Sequence, residues 1–371
     1  MAHPAPTVRR TDAGTLPDGR TVDRWTLEAP GGTTAELLGL GARLQALRTP
    51  DRHGRTAGIV LASDRIPDLL GEAAYLGATV GRYGNRIARG ELPLDGAVHR
   101  LATQPAGHTL HGGPDGFATR LWDAAPVHEA GRAGVRFRLH SPDGDQGFPG
   151  ALTAQVTYLL DTDGALTIHY AAVTDAPTVV NLTNHAYFDL AGEGAGDLPG
   201  HRLTVDADHY LPVDAGLIPL GPPAPVAGTP FDLTRPTPLA GRLGLDHPQL
   251  VIAGGGFDHN WVLRRPAGNE PRRVAVLSHP ASGRRLEVFT TEPGLQVYTG
   301  NHFDGTLTGR SGRPYGRHAG IALETQHHPD APHRPAYPST VLRPGEEYVS
   351  TTVYRCAADA GEPLDDPMCE R

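Results

Sequence analysis

Six Asp-Gly pairs punctuate this chain, beginning at Asp18, Asp95, Asp115, Asp143, Asp163 and Asp304. Asp-Gly is turn chemistry: the aspartate side chain bonds nearby backbone, and the glycine accepts the positive φ that a tight hairpin demands. The stretches between these turns alternate apolar and polar residues. VRFRLH (135–140), LTAQVTYLL (152–160) and ALTIHYAAV (165–173) do so, and the last two are joined by the short loop Asp161-Thr162-Asp163-Gly164. A period of two buries one face of a strand and wets the other. Further strand-like runs are HRLTVDA, FDHNWVL, RRVAVLSH, RRLEVFTT, LQVYTG, GIALET and YVSTTVYR. The expected fold is all-β, a large antiparallel β-sandwich with few short helices.

Helical signals are confined to residues 66–81 (IPDLLGEAAYLGATVG), where glycines limit any helix to a turn or two. No strand–helix alternation appears, and no G-x-G-x-x-G follows a strand, so a dinucleotide-binding domain is disfavoured. The Pro-rich residues 219–238 read as a long surface loop rather than a linker, because strand-like sequence continues on both sides. Residues 1–371 are therefore expected to form a single domain, with loose ends at about 1–15 and 357–371.

The chain contains no lysine; all 33 basic residues are arginine. Schiff-base catalysis and a P-loop lysine are thereby excluded. Net charge is −8 and the arginines are scattered singly, which argues against nucleic acid as a partner. Two cysteines, Cys356 and Cys369, give neither a disulfide framework nor a metal-type pair. No apolar leader and no membrane-length run is visible, so the expected location is cytoplasmic, without membrane association.

Chemistry-bearing residues concentrate in a few segments. NLTNHAYFDLAG (181–192) places His185 between an apolar run and a Gly-rich loop, and GIALETQHHPD places the carboxylate Glu324 among apolar neighbours. One imidazole and one carboxylate are the minimum for moving protons on and off a small molecule near neutral pH. GRYGNRIARGEL supplies Arg82, Asn85, Arg86 and Arg89; HTLHGG supplies His108 and His111. FDHNWVL supplies Asp258, His259 and Asn260, and PGLQVYTGN supplies Gln296, Tyr298 and Asn301. Such planar donors, amides and carboxylates suit a ligand made of vicinal hydroxyls. The stretch His327, His328, Asp330, His333 invites a metal reading, but adjacent histidines on a strand face opposite ways and no second cluster closes a site. No metal and no cofactor is expected. Asn181-Leu182-Thr183 also matches a glycosylation sequon, read here simply as part of the strand.

Nine motifs taken in order resemble those of the aldose 1-epimerase (galactose mutarotase) family: GRYGNRIARGEL, TLHGG, SPDGDQGFPG, NLTNHAYFDLAG, LPVDAGLIPLG, FDHNWVL, PGLQVYTGNHFDG, LETQHHPDA and LRPGEEY, over roughly residues 77–354. The resemblance implies a large antiparallel β-sandwich, in agreement with the strand reading. It also implies Glu324 as general base, His185 as general acid, and Asn85, Arg86, His111, Asp258 and Gln296 as binders of sugar hydroxyls. The implied partner is a free aldose such as galactose or glucose, and the implied state is a monomer or weak dimer. One departure is Glu292, where the family often has glutamine; it puts an extra carboxylate beside a binding segment.

The implied chemistry is opening and reclosing of the sugar ring, with a base at the anomeric hydroxyl and an acid at the ring oxygen. A glutamate beside an imidazolium is expected to keep both groups charged. Three rival readings use the same residues. A sugar-binding module would need no turnover. A glycoside hydrolase would pair Glu324 with Glu292 or Asp258. A hexose-phosphate epimerase would need an arginine cluster such as Arg82, Arg86 and Arg89.

Overall fold

The computed structural model describes residues 5–264 and 270–359. Three antiparallel sheets carry most of the chain. The first has five strands in sequence order: Thr7–Thr15, Thr21–Glu28, Thr34–Leu38, Arg43–Pro50 and Thr56–Gly58. The second has nine, in the spatial order Asp123–Glu129, Arg132–Ser141, Leu152–Asp161, Leu166–Thr174, Tyr348–Ala358, Arg284–Thr290, Arg272–Ser278, Arg202–Val205 and Thr237–Pro238. The third has six: Tyr187–Phe188, Ile321–Gln326, Gly294–Tyr298, Asp258–Leu263, Ala207–Leu211 and Ala224–Pro225.

Alternation in the sequence becomes burial in the fold. In Leu166–Thr174 the residues Leu166, Ile168, Tyr170 and Ala172 point inward, while Thr167, His169 and Ala171 are only partly covered. These inward residues share one apolar cluster with Trp261, Leu295, Val297 and Leu323 of the six-stranded sheet and with Leu37, Leu44 and Leu47 of the first sheet. Phe188 meets Tyr354 edge-on, ring centroids 5.2 Å apart, tying the two larger sheets across that core. Five of the six Asp-Gly glycines take positive φ, namely Gly19, Gly96, Gly144, Gly164 and Gly305; Gly116 instead has φ −77°.

Several expectations change. Residues 7–15 are not a loose end, because Thr7–Thr15 pairs along its length with Thr21–Glu28. At the other end Ala357 and Ala358 pair with Arg285 and Arg284; the rest of the expected C-terminal tail, residues 360–371, lies outside the described residues. The helix expected in residues 66–81 is one turn, α1 (Ile66–Leu69). A second, α2 (Pro248–Ile252), had no clear sequence signal; it begins with proline at its first position and His247 accepts the Gln249 N–H as its cap. Residues 219–238 are largely loop, with Ala224–Pro225 and Thr237–Pro238 adding short edge strands. Asn181 is fully buried and donates to the Gly84 carbonyl at 3.0 Å, so it is a structural amide and not a glycan acceptor.

Candidate active site

The strand Ile321–Gln326 is buried at every residue. Leu323 faces the apolar core, whereas Ala322, Glu324 and Gln326 face the other way. Polar side chains on a strand with both faces covered need a reason. Register supplies it: Glu324 lies opposite Gln296, which lies opposite Asn260, while Asp258 lies opposite Tyr298 one step along. The six-stranded sheet therefore presents a row of carboxylate and amide groups on the face away from the core.

Loops cover this face with imidazoles and a guanidinium. Thr183–Asn184 pairs with Thr79–Val80, and His185 continues the pairing by donating N–H to Ala78 and accepting from Gly77. Leu110 pairs with Arg86, and then the His111 N–H reaches the Asn85 carbonyl. Asn85 (φ 63°) and His111 (φ 52°) both adopt left-handed backbone, an arrangement found where the surroundings over-determine it. The Asn85 N–H donates to His111 Nδ1 at 3.1 Å, and Asn85 Oδ1 accepts from the Arg86 N–H at 2.9 Å. Arg86 lies 3.6 Å from Asp258, whose other oxygen accepts from Gln296 Nε2 at 2.6 Å.

His185 Nε2 stands 3.6 Å from Glu324 Oε1. The two stand side by side, so one small ligand can lie against both. Their charge state departs from expectation. Burial pushes the His185 imidazole down, to about 4. Burial likewise pushes Glu324 well above the usual carboxylate range, with Asp258 adding to the effect and Arg86 opposing it. Desolvation works against the charged form of both groups, so burial disfavours the ion pair at rest. His111 is also pushed well down, first by burial, with His185 and the Arg86 guanidinium adding to it.

Three buried atoms of this group, His185 Nδ1, Glu324 Oε2 and Gln296 Oε1, have no hydrogen-bond partner on another residue among the described residues. Buried polar atoms are normally satisfied, and a cluster of exceptions marks a place where a polar ligand fits. By distance alone His111, His185 and Glu324 could also hold a metal ion, their ligand atoms lying within 4.8 Å of one another. The tautomer of His111 argues otherwise. Its Nδ1 accepts the Asn85 N–H, so the proton of the neutral ring sits on Nε2, which offers a donor instead of a lone pair. That donor set suits hydroxyl oxygens better than a cation.

Of the sequence candidates, His185, Glu324, Asn85, Arg86, His111, Asp258 and Gln296 converge. Others do not. Arg82 is buried and donates to the carbonyls of Ser141, Pro142, Pro149 and Gly150, a structural role. Arg89 pairs with Glu91 at the surface, so only Arg86 of the three arginines reaches the site and the hexose-phosphate reading loses its cluster. His108 accepts the Arg89 N–H, and Asn301 donates to Ala253 and Phe257. Glu292 pairs with His327 at 2.7 Å and accepts from Tyr348, so it is not a free second carboxylate. His328 turns instead to Asn260 and His333 to Asp330, which disperses the His-rich stretch. The sequence reading overlooked Tyr187 and Tyr75, whose rings lie 4.9 and 5.9 Å from the His185 ring. Tyr187 stands two residues after His185, on the same side of an extended run; nothing local marked Tyr75.

Comparison with known proteins gives the family. The family profile described as aldose 1-epimerase matches residues 23–355. The rat galactose mutarotase is 44% identical over 349 residues, 94% of this chain and 98% of that protein. The Escherichia coli K12 aldose 1-epimerase is 40% identical over 346 residues, 92% and 97% of the two chains. Among solved structures, the galactose 1-epimerase of Lactobacillus acidophilus NCFM superposes with a TM-score of 0.83 at 29% identity, covering 95% of this chain and 99% of that one. On the matched profile and on relatives of this identity and coverage, the chain belongs to the aldose 1-epimerase family.

Proposed function

We propose that this chain interconverts the α and β anomers of free aldohexoses such as glucose and galactose. The supporting observation is the side-by-side pair of His185 and Glu324, 3.6 Å apart and unsatisfied on their outer atoms. The ring oxygen and the anomeric hydroxyl of a pyranose share one carbon, so two adjacent proton-transfer groups reach both at once. Glu324 takes the proton of the anomeric hydroxyl as His185 gives one to the ring oxygen. The C1–O5 bond breaks and an aldehyde forms at C1. Rotation about C1–C2 exposes the other carbonyl face, and the reverse transfers close the ring.

Proton counting explains the resting state. Ring opening from the ion pair, carboxylate with imidazolium, leaves the neutral pair, carboxylic acid with imidazole. The two arrangements hold the same single proton and are the two ends of one step. Burial favours the neutral end, and that end accompanies the open aldehyde. The site thus lowers the energy of the stage at which the free sugar is reactive. Asn85, Arg86, His111 Nε2, Asp258 and Gln296 bind the remaining hydroxyls, and the Arg86–Asp258 contact offers them both a donor and an acceptor. No step calls on a metal or cofactor.

The direct test is polarimetry of fresh α-glucose and α-galactose. Glu324→Gln keeps the shape and removes the base, and the rate falls by about 10²–10⁴-fold, the usual worth of a positioned acid or base. Wild-type rates in the variant would refute the reading. Sugar binding without any effect on mutarotation, in the wild type, would favour a binding module.

A further inference from the structure

Catalytic imidazoles are ordinarily aimed by a hydrogen bond that their second ring nitrogen donates to a carboxylate or a backbone carbonyl. For His185 that nitrogen, Nδ1, meets only its own backbone and finds no partner on any other described residue. Something else must fix the rotation of this ring. Around it the aromatic contacts close on themselves. Tyr75 lies 4.8 Å from His111 and 5.9 Å from His185 by ring centroids, and the two imidazoles lie 5.1 Å from each other, edge to face. Tyr187 adds a further contact to His185 at 4.9 Å.

Tyr75 is held with unusual care. It rides the turn after α1, and the carbonyls of that turn converge on one guanidinium. Arg43 is fully buried and donates to Ala73 at 3.2 Å, to Ala74 at 2.9 Å and to Leu76, with further bonds to Leu40 and Ala118. Among the described residues no carboxylate pairs with it. Burial pushes the guanidinium down to about 9, so it remains charged at neutral pH and the carbonyl dipoles carry the whole task of solvating it. The same turn then pairs with the segment that carries His185. The Leu44 N–H donates to Gly77, the Gly77 N–H donates to the His185 carbonyl, and the His185 N–H donates to Ala78.

We propose that Tyr75 is a positioning residue for the acid, its phenol ring fixing the His185 and His111 imidazoles against each other while Arg43 fixes the turn that delivers it. The Tyr75 hydroxyl turns to the Gln104 side chain, and the ring faces do the work. The inference rests on the mutarotase reading for its kinetic consequence, and on the ring geometry alone for its structural one.

Two variants and two readouts test it. In Tyr75→Phe the ring stays, and kcat and KM remain within about 2-fold of wild type. In Tyr75→Ala the imidazoles lose their stop, and kcat falls about 10- to 100-fold, part of the ~10²–10⁴ that a positioned acid contributes, while KM changes by less than about 3-fold. The acid limb of the kcat profile also moves up toward the ordinary imidazole range, because water reaches a ring that burial had held down; the groups facing His185 are Glu324, His111, Tyr75 and Tyr187, with Arg86 and Asp258 beyond them. Independently of turnover, the His185 and His111 ring resonances in NMR shift and broaden in Tyr75→Ala and hold in Tyr75→Phe. Unchanged resonances in Tyr75→Ala would overturn the inference whatever the enzyme's activity. So would an effect on KM alone, which would make Tyr75 a contact for sugar, or an equal loss in both variants. If the wild type gave no mutarotation, the functional reading would fail while the NMR comparison still decided the role of Tyr75.

Discussion

At the residue scale, the His185–Glu324 pair sets the pH response. Below about pH 4 the pair takes a second proton, since burial has pushed His185 to about 4, and no base remains. Above the raised range of Glu324 the pair loses its only proton, and no acid remains. The mutarotation rate, after subtraction of the uncatalysed reaction, is therefore bell-shaped, with one proton bound across its plateau; a rate that stays flat from pH 3 to 9 would contradict this. A second buried pair acts on stability instead. Burial pushes His327 down, but the charge and hydrogen bond of Glu292 more than reverse it, and the reciprocal effects of His327 bring Glu292 below its ordinary range. The raised imidazole stabilises the fold below its unfolded value of 6.5 and ceases to do so as pH rises through its folded value; the lowered carboxylate stabilises above its unfolded value of 4.5 and ceases to do so as pH falls through its folded value. Glu292→Gln accordingly costs most between about pH 5 and 6, on the order of 3–5 kcal/mol for a broken buried pair, and less as pH rises and His327 loses its charge. Urea titrations at several pH values measure this, and a pH-independent loss would rule it out.

At the element scale, the sequence was legible wherever a strand has one wet face. Residues 135–140 and 165–173 alternate because the outer face of the nine-stranded sheet meets solvent. The strand Ile321–Gln326 does not alternate in burial, and Glu324 stands out in the sequence as a carboxylate among apolar neighbours, its role coming from the motif resemblance. The charge state of Glu324 and the pairing of Glu292 were not legible, because both depend on partners far away in the chain. Tyr75 was hidden for the same cause: its neighbours in sequence describe a short helix, and its function comes from rings on other segments. Turns are less forgiving than strands. Gly112 has φ +85° beside His111, and a Cβ there would collide with the Gly81 carbonyl. Gly112→Ala costs about 1–3 kcal/mol from backbone strain alone, and it displaces His111, so thermal stability and affinity for sugar fall together. Lowered stability with unchanged KM would show that the loop absorbs the change without moving the ring.

At the scale of the whole molecule, the strand Tyr348–Ala358 joins what the chain order separates. It pairs with Leu166–Thr174 on one side and with Arg284–Thr290 on the other, so the nine-stranded sheet is continuous only through this last strand. Thr352, buried at its centre, lies opposite both Ile168 and Thr290. Thr352→Pro removes a ladder N–H from a central strand and lowers stability by about 3 kcal/mol or more, and circular dichroism on heating would register it; an unchanged melting temperature would mean the two halves of the sheet hold without that strand. The same separation governs the site, whose residues begin at Asn85 and end at Glu324. In the proposed roles, each hydroxyl-binding group is synthesised before the base. A nascent chain on the ribosome therefore lacks the proposed base at every stage up to residue 323. In refolding, where non-local pairing is slow, catalysis returns only with the closing event, so mutarotation serves as a clock for the completed chain.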